Sequence, residues 1–219
     1  TIRTGEQAWI LNATPQPGQP GYETWEDSTA YKFIGGVNNW TGMTLDDKRG
    51  IVFVPLGSAA FDFYGGNRKG ANLYANSLVA LDAQTGERIW HFQTVHHDIW
   101  DRDLPAPPTL VTIDRDGVPI DAVAQITKSG HIYVFNRETG ESLFPIEELA
   151  YPASDLIGEK AWPTQPLPTQ PPPFARQRLT AEGINPSSNY RDSLLAVFET
   201  VRSDGQFVPP STEGTIIFP

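Results

Sequence analysis

The chain has 219 residues, with 16 Lys and Arg against 26 Asp and Glu, giving a net charge of −10. That acidity excludes the basic face that nucleic acid requires, and docking on anionic lipid by charge alone. There is no Cys, so no disulfide framework and no thiolate metal site, and the longest mostly apolar run, near Ile51–Phe61, is far short of the ~20 residues that span a bilayer. Gly and Pro number 19 and 20 while hydrophobic residues reach 39%. This mix favours many short strands joined by turns around a real core. No signal peptide is visible, and the first residue is Thr1, so any signal or anchor is expected upstream.

In chain order, Thr4-Gly5-Glu6 is followed by Trp9, Thr85-Gly86-Glu87 by Trp90, and Thr139-Gly140-Glu141 by Phe144. Each phrase reads as a strand, a turn with Gly at positive φ, and a return strand carrying an aromatic plug. Recurrence at intervals of 81 and 54 residues marks a repeat architecture with inserted loops. Residues 1–13 then end one blade. A blade over about 37–93 holds strands near Trp40–Thr44, Ile51–Pro55 and Leu78–Asp82 plus a return strand. Insertions fall at 12–36 and 57–75. A second blade over about 107–146 holds Thr109–Ile113, Ala122–Thr127 and His131–Asn136. A Pro-rich loop at 149–186 follows, then a helix over 189–202 capped by Ser187 or Ser188 and ended by Gly205. Residues 214–219 read as the start of another blade. The fold class is therefore all-β: part of a β-propeller built from four-stranded antiparallel blades, with one short helix. Two or three blades do not close a ring, so the chain is expected to be an internal fragment or a subunit whose sheet edges other blades or another chain cover.

Chemistry concentrates in Thr94-Val-His-His-Asp-Ile-Trp-Asp-Arg-Asp-Leu-Pro105, a loop leaving a strand. Carboxylates rarely crowd for packing reasons, because burial and mutual repulsion both cost energy. Asp101 read from this loop alone is either functional or a turn residue bonding its own backbone. Lys128 in Lys-Ser-Gly reads alone as a solvated turn, and Trp40 as core. His96 and His97 are adjacent on an extended segment and point to opposite sides, so a shared zinc is disfavoured against a hydrogen-bonding role. Trp9, Trp90 and Phe144 read as blade plugs.

Together, Asn39-Trp40, Tyr64-Gly-Gly-Asn-Arg68, Gln93–Pro105, Thr127-Lys-Ser-Gly-His-Ile-Tyr-Val-Phe-Asn-Arg137 and the Thr-Gly-x-x-x-Trp phrase resemble the pyrroloquinoline-quinone (PQQ) dependent dehydrogenases. The resemblance runs from Gly5 to Phe218. It looks most like the glucose-dehydrogenase branch, while Pro17–Trp25 also looks like the alcohol branch. It implies an eight-bladed propeller in which PQQ accepts a hydride from an alcohol carbon, a divalent or other hard cation such as calcium polarises the quinone, and an aspartate takes the hydroxyl proton. By position, Asp101 matches the family's base, Lys128 its cation on the quinone oxygens, and Trp40 its stacking indole. The alcohol branch places an asparagine metal ligand where this chain has Gly57-Ser58. Ser58 and Asp103 are then the oxygen donors this chain offers a metal. The resemblance also implies a sugar or alcohol substrate, a quinone or cytochrome acceptor, a periplasmic setting, and no turnover by this chain alone.

Two other readings compete. A non-catalytic PQQ-repeat propeller would serve as a protein-binding scaffold, but a scaffold has no need of Asp101, Lys128 and Trp40 together. A carbohydrate-binding module would use Phe61, Phe63, Tyr64 and Tyr74, and nothing in the sequence raises it above generic.

Overall fold

The structure is a computed structural model that describes residues 3–217. Strands β1 (Thr44–Asp46), β2 (Ile51–Pro55), β3 (Ser77–Asp82) and β4 (Arg88–Gln93) form one antiparallel sheet in sequential order. Strands β5 (Thr109–Arg115), β6 (Val118–Ile126) and β7 (Ile132–Asn136) form a second. Strands β8 (Ile146–Ala150) and β9 (Thr164–Pro168) pair as a two-stranded ribbon. The one α-helix among the described residues is α1 (Arg191–Phe198). Among the described residues no helix is long and apolar enough to cross a membrane. The chain is all-β, and its sheets meet in sequence without closing, as in part of a propeller.

The period of two in β3 explains why the first sheet is buried on both faces. Leu78 and Ala80 enter one cluster with Ile51, Phe53, Trp90, Tyr133 and Phe135. Val79 and Leu81 enter another with Val54, Leu56, Trp25 and Tyr74. Adjacent strand residues point to opposite faces, so one strand serves two cores. The first of these cores joins the two sheets. Trp90 stands between Phe53 and Phe135, at ring-centroid distances of 5.8 and 5.6 Å.

The repeated phrase is the connector between repeats. Trp90 Nε1 donates to Arg137 O at 2.9 Å, and a Cβ on Gly140 (φ +71°) would lie 2.6 Å from its indole. Trp9 Nε1 likewise donates to Ala83 O at 3.1 Å, with Gly86 (φ +74°) against its ring. Each tryptophan thus docks on the next repeat's turn, three residues before and directly on the glycine. Only a residue without Cβ satisfies both the left-handed turn and the indole contact. On the rim, Arg49 bonds Asp121 at 2.7 Å and Glu138 at 2.8 Å, while Arg137 reaches back to Asp46 at 3.0 Å.

Turn chemistry sets the registers. Asp116 and Gly117, both at positive φ, close the β5–β6 hairpin between Arg115 and Val118, as the tight primed turns require.

Several boundaries differ from expectation. The strand placed near Trp40–Thr44 is β1 at Thr44–Asp46, and Trp40 lies in the loop before it. The second blade carries three strands, with its fourth reduced to a single bridge between Phe135 and Ser142. Pro145 has no N–H to continue that pairing. The Pro-rich stretch is not loop throughout: β9 runs through Pro166 and Pro168 as an edge strand, where missing donors do little harm. The helix expected over 189–202 is only eight residues, has Tyr190 at its N-cap with no side-chain cap, and ends well before Gly205. Of 214–219, Thr215 makes one parallel bridge to Arg202, and residues 218–219 lie outside the described part.

The Trp90 connector yields an expectation for stability. Trp90→Ala removes a buried indole from the joint between sheets and leaves the Arg137 carbonyl without its donor. Urea unfolding should show a loss of about 3–5 kcal/mol. A midpoint within error of wild type would show that the joint does not carry the fold.

Candidate active site

The loop after β4 is organised around one buried carboxylate. Asp98 is 1% exposed. Its Oδ1 accepts the Trp100 amide at 2.8 Å, and its Oδ2 accepts the Arg102 amide at 2.6 Å, Asn76 Nδ2 at 2.7 Å and the Ser58 hydroxyl. Buried Arg68 donates to the Asp98 carbonyl, and Asn76 Nδ2 also reaches the Arg102 carbonyl at 3.0 Å. The loop is held from outside as well. Trp100 Nε1 donates to Val208 O at 2.7 Å, and Arg102 Nη2 to Gln206 O at 3.1 Å. His97 and Asp101 take left-handed backbone, with φ of 45° and 58°. Asp tolerates this region better than most residues.

This fold turns Asp101 and Asp103 toward one cation. Lys128, in the β6–β7 turn, donates to Asp101 Oδ1 at 2.9 Å and Asp103 Oδ2 at 2.7 Å. Its ammonium lies 5.9 Å from the Trp40 ring centroid, within cation–π range. Trp40 keeps 54% of its surface exposed. The Ser58 amide donates to Asp103 Oδ1 at 2.6 Å. A Cβ on Gly57 would fall 2.6 Å from that same oxygen, so the approach needs glycine there.

The two carboxyls titrate apart. Burial pushes Asp101 up to about 6, reinforced by the charge of Asp103 and only partly offset by Lys128. Burial acts on Asp103 too, but the Lys128 bond and the Ser58 amide outweigh it and hold Asp103 below the ordinary carboxylate range. Lys128 loses by burial and gains more from its two acidic partners, so its pKa rises. The trio is a dyad in which Asp101 keeps the proton longer.

The structure brings Asp101, Lys128, Trp40, Asp103 and Ser58 into one cluster, with Ser58 contributing its amide. Its hydroxyl donates to Asp98 and accepts from Asn76 Nδ2 at 3.1 Å, so it is not free to ligate. Among the described residues no group of three or more His, Cys, Asp or Glu side chains could hold a metal ion. Lys128 occupies the space between the two carboxylates. The Asp103 carboxylate and the Ser58 hydroxyl are thus both engaged by protein partners in this structure. A flat quinone is a better fit: the open Trp40 face lies beside a fixed ammonium. His96 and His97 face different acids, Glu148 at 3.2 Å and Glu159 at 2.7 Å. Sequence reasoning missed Asp98, Asn76, Arg68 and Glu159 as organisers. Asp98 and Arg68 lay inside quoted phrases, whereas Asn76 and Glu159 carried no local signal.

Comparison with known proteins follows this geometry. The family described as "PQQ: Glucose/ethanol/alcohol dehydrogenase, beta-propeller domain" matches residues 1–219. The chain belongs to that family. It is 34% identical to a quinoprotein glucose dehydrogenase of Gluconobacter oxydans, over 100% of this chain and 27% of that protein. It is 35% identical to a quinate/shikimate dehydrogenase (quinone) of Acinetobacter baylyi, again over 100% of this chain and 27% of the relative. A solved quinohemoprotein alcohol dehydrogenase of Pseudomonas putida matches 72% of this chain and 23% of its own, at 26% identity and a TM-score of 0.56. The chain thus spans about a quarter of the length of the curated relatives it matches.

The raised Asp101 pKa makes a signed prediction. A carboxyl whose folded pKa lies above its unfolded value stabilises fully below about 4, and that contribution is lost as pH rises through about 6. Asp101→Asn cannot ionise. Its melting temperature relative to wild type should therefore increase between pH 4 and pH 7. A flat difference across that window would show that Asp101 titrates normally.

Proposed function

We propose that this chain forms part of a PQQ-dependent dehydrogenase that oxidises a sugar or alcohol hydroxyl, passing electrons to a quinone or cytochrome in the periplasm. The observation that carries the reading is the Asp101–Lys128–Asp103 cluster beside the exposed Trp40 face. A scaffold propeller has no use for a half-buried lysine between two aspartates.

Bound there, PQQ would supply the two-electron acceptor for the hydride leaving the alcohol carbon. Trp40 would carry its flat face, and Lys128 would donate to its oxygens as a charge-assisted partner. Asp101, ionised above about 6, takes the proton from the substrate hydroxyl as the carbonyl forms. Asp103 stays ionised beside it, fixes the ammonium, and is itself fixed by the Ser58 amide. No step is assigned to a metal, because the described residues of this chain do not by themselves complete a site for one. We also propose that this chain alone does not turn over substrate, since Trp40, Asp101 and Lys128 are only part of what surrounds a cofactor on a propeller axis.

Two measurements test the reading. In the intact enzyme, Asp101→Asn should lower kcat by roughly 10²–10⁴ with the fold retained, and wild-type kcat/KM should rise with pH through about 6. Near-normal turnover in the variant would remove Asp101 from the chemistry. Separately, fluorescence titration with PQQ should give a weaker Kd for Lys128→Ala, by about tenfold or more for one charge-assisted bond. An unchanged Kd would place the quinone elsewhere.

A further inference from the structure

The segment 151–178 touches the loops that carry Asp101 and Lys128, at two separate points. At the first, the Glu159 carboxylate lies 2.7 Å from His97 Nε2, and both side chains are fully buried. Its other oxygen accepts the Gly65 amide. His97 Nδ1 faces the Gly70 carbonyl at 2.9 Å. Burial pushes Glu159 upward, but the His97 and Gly65 bonds outweigh it and leave the carboxyl below its ordinary range. Close approach makes this possible: a Cβ on Gly65 would lie 2.5 Å from His97 Nε2, and one on Gly66 3.0 Å from Gly158 O. Tyr64 closes the contact by donating to Ile157 O at 3.0 Å. His97 directly precedes Asp98, the carboxylate around which the Asp101 loop is wound.

At the second point the same segment grips the turn that carries Lys128. The Phe174 amide donates to Gly130 O at 2.8 Å, and Gln177 Nε2 donates to Ser129 O at 2.9 Å. A Cβ on Gly130 would meet Ala175 Cβ at 2.5 Å. Asp101 and Lys128 lie on loops of different sheets, joined directly by their ion pair at 2.9 Å and by the Lys128 amide donating to Asp103 O at 3.3 Å. This segment is a continuous chain bonded to both supports.

We propose that residues 151–178 are a two-point clamp that positions the Asp101–Lys128 pair. Glu159 is the positioning residue for the aspartate loop, acting through His97, and Gln177 is the positioning residue for the lysine turn. Neither touches the reacting atoms. The catalytic consequence rests on the dehydrogenase reading, whereas the structural coupling does not.

The experiment has two arms that separate these. In the first, amide hydrogen exchange is compared across wild type, Glu159→Gln and Gln177→Leu in the full-length protein that contains this chain. Glu159→Gln should speed exchange at Trp100 and Arg102, the amides held by Asp98, by about tenfold or more, with β3 unchanged. Gln177→Leu, a milder change at a half-buried site, should do the same at Gly130 and His131. Acceleration confined to Gly65 and residues 157–160 in one variant, or absent in the other, overturns the clamp. In the second arm, each variant in the intact enzyme should lose kcat by about 10- to 100-fold with KM within about twofold of wild type. In an Asp101→Asn background Glu159→Gln should cost nothing further, because it acts through Asp101, and in a Lys128→Ala background Gln177→Leu should cost nothing further, because it acts through Lys128. An unchanged kcat, or losses that simply multiply, overturns the positioning role. A wild-type enzyme without dehydrogenase activity would defeat the functional reading while exchange still decides the clamp.

Discussion

The Asp98 carboxylate is the constraint on which the site depends. It is buried, and an ionised group removed from water must recover its solvation from fixed donors. Those donors are two amides of its own loop, an amide nitrogen of Asn76 and the Ser58 hydroxyl. Three chain segments must therefore converge on one point. The loop cannot relax without stranding several buried groups at once, each worth about 1–3 kcal/mol. The conformation that satisfies Asp98 is also the one that turns Asp101 and Asp103 outward on the same side. Stability and presentation of the site are one requirement here.

The second partner, Lys128, arrives from another sheet, so the site depends on how the sheets dock. Trp90 fills the joint between them and bonds the following repeat's turn. The rim adds Arg49, which reaches Asp46 and Asp121 on the two sheets, and Arg137, which reaches back to Asp46. The exposed parts of that rim contribute little energy individually, but they fix rotation of one sheet about the other. A shift of that joint would move Lys128 relative to Asp101, working against their bond at 2.9 Å. The repeat phrase, which touches nothing in the site, thereby sets its geometry.

The architecture was legible because its causes are local. Thr-Gly-Glu turns, the alternation in Leu78–Asp82 and Asp116-Gly117 each state their conformation within a few residues. The boundaries that moved depended on contacts made elsewhere. Residues 199–202 leave the helix: Glu199 caps it, and the Thr200 amide bonds back three residues to Val197 O at 3.0 Å. Trp40 looked like a strand start, yet β1 begins only where Thr44 finds its partner Phe53. The site was legible in part for the same reason. Asp101 and Asp103 stand in a crowded acidic phrase, whereas Lys128 stood out only through the family resemblance. Glu159 sits in a Pro-rich stretch with nothing around it to mark a buried acid; only the long-range contact with His97 gives it meaning.

The two aspartates show how environment, not residue type, divides roles. Both are partly buried, and both bond the same ammonium. Asp103 is 14% exposed and should suffer more from desolvation than Asp101, which is 37% exposed. It is nevertheless the one held in the ionised form. The difference is the Ser58 amide, a fixed donor that Asp101 lacks, delivered because Gly57 has no Cβ to obstruct it. With Asp103 ionised, its charge raises the cost of ionising Asp101, and the pair separates. A general base works best when its pKa lies near the operating pH. The proposed assignment of Asp101 as base therefore traces back to a glycine on the opposite segment. That glycine admits the hydrogen bond that pins the other carboxylate.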